Sequence, residues 1–329
     1  MSAPVRVDTQ APLPEAAGIT PSMTHVPLTR ARANLILLFV ALVWGSAFVA
    51  QALGMQSLGP FLFTGLRFLL GAAIVAPLAW REWRELSRRR RQPRKRDGVH
   101  IALLGALLFL GAAMQQIGML TTTVTNAGFL TALYIPLVPV FAWLAFRQLP
   151  HWTVWPAALG CLVGTWLLTG GHAGQALPTL KRGDWWVIAS SVPWAVHVVL
   201  VGRAANRLQG AMLVAAGQFA ACGVLALVTG LAIEPVAWSG IRGALGAIAY
   251  TGVLSVGLGF TLQVVAQRHA RAADSAIVLS SETVFAAIFG AIFMGDRLGP
   301  ASAGGCALIL ACVLMVQLQP IVRSWLKQR

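Results

Sequence analysis

Two charged side chains lie deep inside long apolar segments, and they are the residues best suited to chemistry in this sequence. Glu282 interrupts IVLSSETVFAAIFGAIF (277–293), and Arg67 interrupts LGPFLFTGLRFLLGAA (58–73). Each lies roughly eight or nine residues from one end of its segment, or ~12–13 Å along a helix that rises about 1.5 Å per residue. In a bilayer whose hydrocarbon core is about 30 Å thick, both charges would lie near mid-depth. Since each would cost at least ~2.5–3.5 kcal/mol to insert, we expect each to have a specific role.

Two interpretations of Glu282 are open. In the functional one, its carboxylate faces a wet cavity and binds a proton or a cationic group of a substrate, within a polar patch of neighbouring hydroxyls. In the structural one, a fixed ion pair only holds helices together, and Arg67 is the partner of opposite sign at similar depth. We predict that Glu282 and Arg67 interact or share one cavity, although Arg67 could equally anchor the fold.

Two further ionisable groups lie in apolar surroundings. His197 lies in the middle of VPWAVHVVLVG. An imidazole titrates close to neutral pH, so His197 is either a candidate for proton binding or a packed, hydrogen-bonded residue. Asp274 lies near the end of an apolar segment beside Arg271, and this spacing predicts a salt bridge at the membrane interface.

Neutral polar residues form a second set of candidate binding groups. Any one of them can simply hydrogen-bond between helices, which is worth ~0.6 kcal/mol. Together they could line a polar cavity, with two tryptophans as aromatic walls. The polar residues are Gln115, Gln116, Asn126, Tyr134, Gln218, Gln263 and Gln267, and the tryptophans are Trp44 and Trp194.

The sequence does not predict a metal site, a cofactor or covalent catalysis. The four cysteines lie inside apolar segments and form no CxxC pair, which favours simple packing. There is no GxxxxGK[ST] motif for ATP and no DxxxD-like carboxylate cluster. Ser190 and Ser191 precede His197 on one helix by ~9–10 Å of rise, too far for a nucleophile–base hydrogen bond.

The elements that must position these residues are membrane spans. Apolar residues make up 57% of the 329 positions and charged residues 11%, whereas soluble domains carry about a quarter charged residues. A span needs about 20 apolar residues. The fold class is therefore an all-α membrane protein with ten spans, at approximately 33–51, 59–80, 99–120, 125–146, 153–170, 184–203, 210–232, 243–266, 274–294 and 301–319. Pro136 and Pro139 also predict a kink inside the fourth of these spans.

The charges outside the spans predict the orientation of the chain. Lys and Arg concentrate on the side that holds both termini and the segment REWRELSRRRRQPRKRD (81–97), while only Lys181, Arg182, Arg242 and Arg297 fall on the other side. The positive-inside rule therefore predicts cytoplasmic termini in a multi-pass protein of the inner or plasma membrane. Residues 1–32 are read as a disordered tail and 320–329 as a basic tail. The basic segment is expected to face anionic lipid, and it lacks the aromatic residues that would favour nucleic acid.

The spans divide into two halves. Residues 125–150 align without a gap on 274–299 at a shift of about 149 residues, and the same shift places Trp44 near Trp194. Five spans in each half, 33–170 and 184–319, require the second half to enter the membrane from the opposite side. Inverted repeats of this kind recur in secondary transporters, which hold their substrate near the midplane.

Five segments in order resemble the EamA-type branch of the drug/metabolite transporter superfamily. They are the Arg67 segment quoted above, LVWGSAFVAQAL (42–53), QQIGMLTTTVTNAGFLTALYIPLVP (115–139), GDWWVIASSVPWAVHVVLVGR (183–203) and LQVVAQRHARAADSAIVLSSETVFAAIFGAIFMGDRL (262–298). The resemblance implies ten helices, two EamA repeats, and export or exchange of small metabolites. Thr283 stands where the family often has proline after the glutamate of span nine, and the Arg147 region replaces an acidic residue that often ends span four.

The sequence thus predicts a secondary transporter that exports or exchanges small metabolites, such as amino acids or related compounds, by alternating access. Its expected partners are a small-molecule substrate, the lipid bilayer, and a proton or counter-substrate. A polytopic membrane enzyme and a non-transporting receptor remain as alternatives. Transport assays in proteoliposomes separate the first from the others.

Overall fold

The computed structural model describes residues 29–89, 93–122, 124–147, 149–168, 181–295 and 299–326. Most of the two predicted tails, residues 1–28 and 327–329, lies outside this range. The described chain is helical and contains no strand. Its helices are α1 (Arg30–Gly54), α2 (Pro60–Arg88), α3 (Lys95–Met119), α4 (Val124–Thr131), α5 (Tyr134–Phe146), α6 (Val154–Leu168), α7 (Arg182–Leu208), α8 (Ala211–Ile233), α9 (Trp238–Tyr250), a π-helical segment (Thr251–Phe260), α10 (Thr261–Gln267), α11 (Ala272–Leu279), α12 (Ser281–Met294) and α13 (Pro300–Leu326).

Eight of these helices or joined helices are long and apolar enough to cross a membrane. They are α1, α2, α3, α4–α5, α7, α8, the rod from α9 to α10, and α11–α12. The fifth and tenth predicted spans correspond to shorter apolar helices in the described residues, Val154–Gly164 and Ala303–Met315. They belong to α6 and to α13, which runs from Pro300 to Leu326. Eight spans are therefore supported, and the fifth and tenth stay predictions.

The tryptophans at the predicted span ends lie on the outer surface of the bundle. All seven are exposed, where a ring that is partly apolar and partly polar suits the membrane interface. They are Trp80, Trp83, Trp152, Trp155, Trp185, Trp186 and Trp238.

The fourth predicted span is broken between α4 and α5, in agreement with the kink expected from its prolines. Pro136 has no N–H to donate to the carbonyl of Ala132, and its ring crowds that carbonyl. The backbone N–H of Ile135 bonds to the Ala132 carbonyl instead, at 3.0 Å, which tightens the turn. The break lies just before Tyr134, so it places that side chain at the start of α5.

The ninth predicted span is interrupted at Ser280, although Thr283 replaces the proline expected there. Hydroxyl groups satisfy the backbone at this point. Ser280 Oγ donates to the Ile277 carbonyl at 2.6 Å, and Thr283 Oγ1 donates to the Ser280 carbonyl at 2.8 Å. Side-chain bonds to nearby carbonyls commonly bend helices. Two serine or threonine hydroxyls thus accompany an interruption in a segment that lacks proline.

Carboxylates tie α2 and α8 together at both ends of their contact. Glu234, just after α8, accepts hydrogen bonds from the backbone N–H groups of Phe61 and Leu62, each at 2.8 Å, at the start of α2. Glu82, near the end of α2, accepts one from the N–H of Leu213 at 2.8 Å, at the start of α8. Each carboxylate therefore caps the partner helix, where the unpaired N–H groups and the helix dipole favour negative charge.

The pair α3 and α7 is also joined at both ends. Asp97 in the first turn of α3 forms an ion pair with Arg207 near the end of α7 (3.3 Å), and Asp184 in the first turn of α7 accepts a hydrogen bond from Thr122. The two helices therefore run in opposite directions. We call the end of the bundle that holds Arg207, the start of α3 and the end of α2 the basic end, and the other the far end.

Candidate functional site: a central polar cavity

A cavity of about 60 Å³ lies in the middle of the bundle, beside the two helix interruptions. It contains seven of the twelve predicted site residues and seven residues that were not predicted. The predicted residues are Trp44, Arg67, Gln115, Tyr134, Trp194, Gln263 and Glu282, and the others are Phe48, Gln51, Thr131, Val198, Ser255, Phe260 and Leu279.

Glu282 lies in the first turn of α12, directly after the interruption at Ser280. Its side chain is buried, with 5% of its surface exposed. Among the described residues, no hydrogen bond or ion pair reaches its carboxylate, which faces the cavity. The N-terminus of α12 nonetheless stabilises negative charge through the helix dipole. The carboxylate is therefore placed by the start of α12, and it can bind a proton or a ligand without breaking a described hydrogen bond.

Arg67 is held on the opposite wall by an amide that the sequence analysis did not identify. Arg67 Nη1 donates to Gln51 Oε1 at 2.8 Å, and Gln116 Nε2 donates to the same oxygen at 2.9 Å. Gln51 Nε2 in turn donates to the Ala47 carbonyl at 3.1 Å. Gln51 is thus the centre of a buried network that joins α1, α2 and α3. Gln51 was read as the last residue of span one, but its spacing of two helical turns from Trp44 could have revealed it.

Arg67 and Glu282 were predicted to interact or to share one cavity; both line this cavity, and no ion pair joins them in the described structure. The guanidinium of Arg67 instead lies 5.6 Å from the ring centre of Phe63 and 5.2 Å from that of Phe68. Aromatic faces attract a cation in surroundings without water. Arg67 is therefore stabilised without an ion pair to Glu282, and the cavity holds one guanidinium and one carboxyl group.

An aromatic stack forms another wall of the cavity. Phe260 lies between Trp44, at 4.5 Å between ring centres, and Trp194, at 5.9 Å. Trp44 Nε1 donates to the carbonyl of Ser255 in the π-helical segment at 3.2 Å. Trp194 Nε1 is buried without a partner in the described residues. The two tryptophans thus meet at the cavity as the sequence predicted, but only one of them has its indole N–H satisfied.

His197 does not line the cavity. It is fully buried behind the aromatic stack, where its Nε2 and Oε1 of Gln218 are 3.0 Å apart. Its ring meets those of Trp194 and Phe260 edge-on, each at 6.4 Å between ring centres. This geometry favours the packed, hydrogen-bonded interpretation of His197, and it places Gln218 in the same role.

The remaining predicted residues divide into three groups. Gln115 faces the cavity and donates to Thr131 Oγ1 at 2.8 Å. The hydroxyl of Tyr134 and Oε1 of Gln263 are buried without partners in the described residues. The hydroxyl can donate or accept a hydrogen bond to a ligand, and the amide oxygen can accept one. Gln267 lies outside this cavity, and the side chain of Asn126 falls outside the described residues.

A second and much larger cavity, of about 640 Å³, opens at the basic end, and we call it the vestibule. Arg203, near the end of α7, and the connection between α10 and α11 (268–271) line it. Val198 lines both the vestibule and the central cavity, so the two spaces adjoin. The salt bridge predicted between Asp274 and Arg271 is not present in the described structure, although both residues line the vestibule.

Packing closes the region between the central cavity and the far end. Phe48, Met119, Val187 and Ala286 belong to one buried apolar cluster there. At Gly45, α1 approaches α12 so closely that an added Cβ would lie 2.8 Å from backbone atoms of α12. Among the described residues, the central cavity therefore adjoins the vestibule towards the basic end and packed apolar side chains towards the far end.

The described residues contain no group of three or more His, Cys, Asp or Glu side chains that could hold a metal ion. Ser190 Oγ and Ser191 Oγ donate to the carbonyls of Val187 and Ile188, so neither hydroxyl contacts His197. The arrangement instead provides a polar cavity with unpaired hydrogen-bonding groups, one guanidinium and one carboxyl group. Such a cavity is suited to holding a small polar molecule.

Apolar spans around an internal polar cavity define the class of multi-pass membrane transporters. A family model described as the EamA-like transporter family matches residues 31–170 and 181–318, and the chain belongs to this family. An "uncharacterized transporter" of Archaeoglobus fulgidus is 27% identical over 291 residues, which are 88% of this chain and 87% of that protein.

Two further similarities agree with this family. The Bacillus subtilis protein YwfM, also named an uncharacterized transporter, is 23% identical over 304 residues, or 87% of this chain and 94% of its own. A solved crystal structure matches with a TM-score of 0.70 and 23% identity, over 88% of this chain and 98% of its own, and it shows a shared fold. The family and the names of the relatives indicate a membrane transporter.

Proposed function

We propose that the protein is a secondary transporter of the cell membrane that exports or exchanges small metabolites by alternating access, with both termini in the cytoplasm. The observation that carries this proposal is the central cavity. Side chains from both halves of the chain line it, and it holds the ionisable groups Glu282 and Arg67 without an ion pair between them. In a membrane interior such charges are costly, and they mark the paths of ions and substrates.

An inverted repeat is supported by three features that recur at a shift close to 150 residues. The family model matches each half separately. The helix interruptions lie at 132–133 in the first half and at Ser280 in the second. The two carboxylates that cap partner helices, Glu82 and Glu234, are also related in this way. Because α2 and α8 run in opposite directions, the two halves have opposite orientations in the bundle.

Alternating access is supported by the unequal packing of the two ends. The described conformation has the vestibule at the basic end and an apolar cluster at the far end. With the basic end in the cytoplasm, this is an inward-facing state in our proposal. A central cavity of about 60 Å³ holds only a few water molecules, so a metabolite requires the cavity to widen. Movement of the interrupted helices α4–α5 and α11–α12 is our proposed means of widening.

In the proposed cycle Glu282 binds a proton or a cationic group of the substrate. Its carboxylate faces the cavity without a described partner and lies at the start of α12. Any movement of α12 against α11 therefore changes how much water and which dipoles surround the carboxylate. A change of surroundings changes the affinity of a carboxylate for a proton.

The variant Glu282→Gln tests this role, because glutamine keeps the shape of the side chain but cannot ionise. A substrate is first identified by growth rescue under metabolite overload, and uptake is then measured in proteoliposomes with and without a pH gradient. We expect Glu282→Gln to fold with an unchanged melting temperature, to lose accumulation driven by the pH gradient, and to keep exchange of substrate.

The matched control is Glu85→Gln, which removes an exposed carboxylate at the basic end that pairs with Arg89 at 2.7 Å. This variant should transport like the wild type, since exposed pairs of this kind contribute little. Accumulation by Glu282→Gln with the wild-type pH dependence would show that the carboxylate is structural. The proposed function would be contradicted if the wild-type protein transports none of the metabolites whose overload its expression relieves.

A further inference from the structure

We infer that the vestibule is a binding site for the anionic group of the substrate, so that the transported metabolite carries a carboxylate or a phosphate. This inference rests on the proposed function. The lining of the vestibule includes three arginines but only one carboxylate, Asp274, which leaves an excess of two positive charges with histidine neutral. The arginines are Arg203, Arg268 and Arg271. Among the described residues, none of the three forms an ion pair.

Two of the arginines are held in place by neutral groups, and neither forms an ion pair among the described residues. The guanidinium of Arg203 lies over the ring of Phe146 on α5, with Cζ 3.2 Å from the ring centre. Arg268 Nε donates to Asn206 Oδ1 at 3.3 Å, and Asn206 Nδ2 donates to the Arg268 carbonyl at 3.0 Å. Arginine that is fixed in this way forms directional bonds to carboxylate or phosphate at a low entropic cost.

Orientation by the positive-inside rule explains basic residues near the cytoplasm, but it does not require them to line a cavity. Arg84 and Arg88, also at the basic end, are exposed on α2 and do not line the vestibule. Arg203 and Arg268 are only partly exposed and border a cavity of about 640 Å³. This volume is within the range of small-molecule sites.

A pair of amides leads from the vestibule towards the central cavity. Gln267 lines the vestibule with 5% of its surface exposed, and both of its amide atoms lack a partner among the described residues. Gln263 lies one turn earlier on α10, about 6 Å away along the axis, and its Oε1, also unpartnered, faces the central cavity. Buried amides are rarely left without hydrogen bonds, so both point to a polar ligand or its water. Arg67 then provides the next positive charge along the path.

Binding to the purified full-length protein tests the inference without requiring transport. The probes are inorganic phosphate and citrate, compared with chloride at equal ionic strength, in neutral detergent, with the melting temperature as the readout. Both probes should raise the melting temperature in a saturable way, because a ligand that binds only the folded state stabilises it. The triple variant R203Q/R268Q/R271Q should bind at least about tenfold more weakly, a loss of roughly 1.4 kcal/mol.

The control Arg84→Gln removes one positive charge at the same end and should bind both probes like the wild type. If the triple variant does not fold, the single variant Arg271→Gln, at an exposed position, replaces it and should weaken binding severalfold. Gln267→Leu should also weaken binding of both probes and slow transport, because Gln267 lines the vestibule with an unpartnered amide. Equal binding by the wild-type and vestibule variants would overturn the inference.

The remaining outcomes separate this inference from the proposed function. Transport of a metabolite without any anionic group, with no stabilisation by either probe, would refute the anion site and leave the transporter intact. Saturable binding without transport of any metabolite would support the site and contradict the transporter. Stabilisation by phosphatidylglycerol in nanodiscs, but by neither soluble probe, would assign the arginines to a lipid headgroup and overturn the inference.

Discussion

Replacing Gln51 with leucine should destabilise the protein more than its position near a helix end suggests. Gln51 Oε1 accepts one hydrogen bond from Arg67 and one from Gln116, and leucine removes both. A bond from a charged donor contributes ~1.5–3 kcal/mol. A neutral bond between spans contributes ~0.6 kcal/mol. We therefore expect Gln51→Leu to lower the free energy of unfolding by about 2–4 kcal/mol, because a buried guanidinium loses its acceptor.

The assay is a double-mutant cycle on the purified protein, with Gln51→Leu, Arg67→Leu and the double variant, measured by reversible unfolding in mixed micelles. The double variant leaves no charge without a partner, so it should cost less than the sum of the singles by ~1.5–3 kcal/mol. Gln51→Glu is the comparison, because it keeps an acceptor for both donors and loses only the bond to the Ala47 carbonyl, so it should cost less stability than Gln51→Leu. Additive single variants, with a coupling below ~0.5 kcal/mol, would refute the network.

Two further predictions concern packing and topology. Gly45→Ala should lower the melting temperature, because its added Cβ would lie 2.8 Å from backbone atoms of α12 and must move to about 3.4 Å. Such overpacking costs about 1–3 kcal/mol. In the control Gly98→Ala the added Cβ has no neighbour within 4 Å, so the melting temperature should not fall. Gln92→Cys should resist a membrane-impermeant thiol reagent added to intact cells, while Gln56→Cys, exposed at the far end, should react. The reverse labelling pattern would contradict cytoplasmic termini and the proposed orientation.

Much of the fold follows from the sequence because a bilayer imposes simple requirements. Every backbone polar group in a span must bond within its own helix, so long apolar runs predict helices directly. Charged residues are too costly to be scattered through them, so Arg67 and Glu282 stand out without any structure. The same reasoning cannot predict partners, since the acceptor for Arg67 lies 16 residues earlier on a different helix.

The interruption of span nine was less accessible from the sequence. Proline is the strongest signal of a helix break, and Thr283 stands where that signal was expected. The hydroxyls of Ser280 and Thr283 bond to carbonyls at the interruption, but serine and threonine also occur inside regular helices, where they make the same bonds. The vestibule could not be predicted from the sequence either. Its arginines come from α7 and from the connection before α11, and only the tertiary packing brings them to one cavity.

Glu282 lies at a helix interruption, and this position determines the electrostatic surroundings of its carboxyl group. A carboxylate in the middle of an unbroken span lies far from any helix terminus, whereas Glu282 lies in the first turn of α12, where the helix dipole favours negative charge. The shift of about 149 residues relates it to Leu133, so the first half has no counterpart of this charge. Glu282 is also the one carboxylate among the residues that line the central cavity. Under the proposed function, a transporter with near-symmetrical halves thus has a single ionisable carboxylate in its cavity, and this group carries at most one proton in each transport cycle.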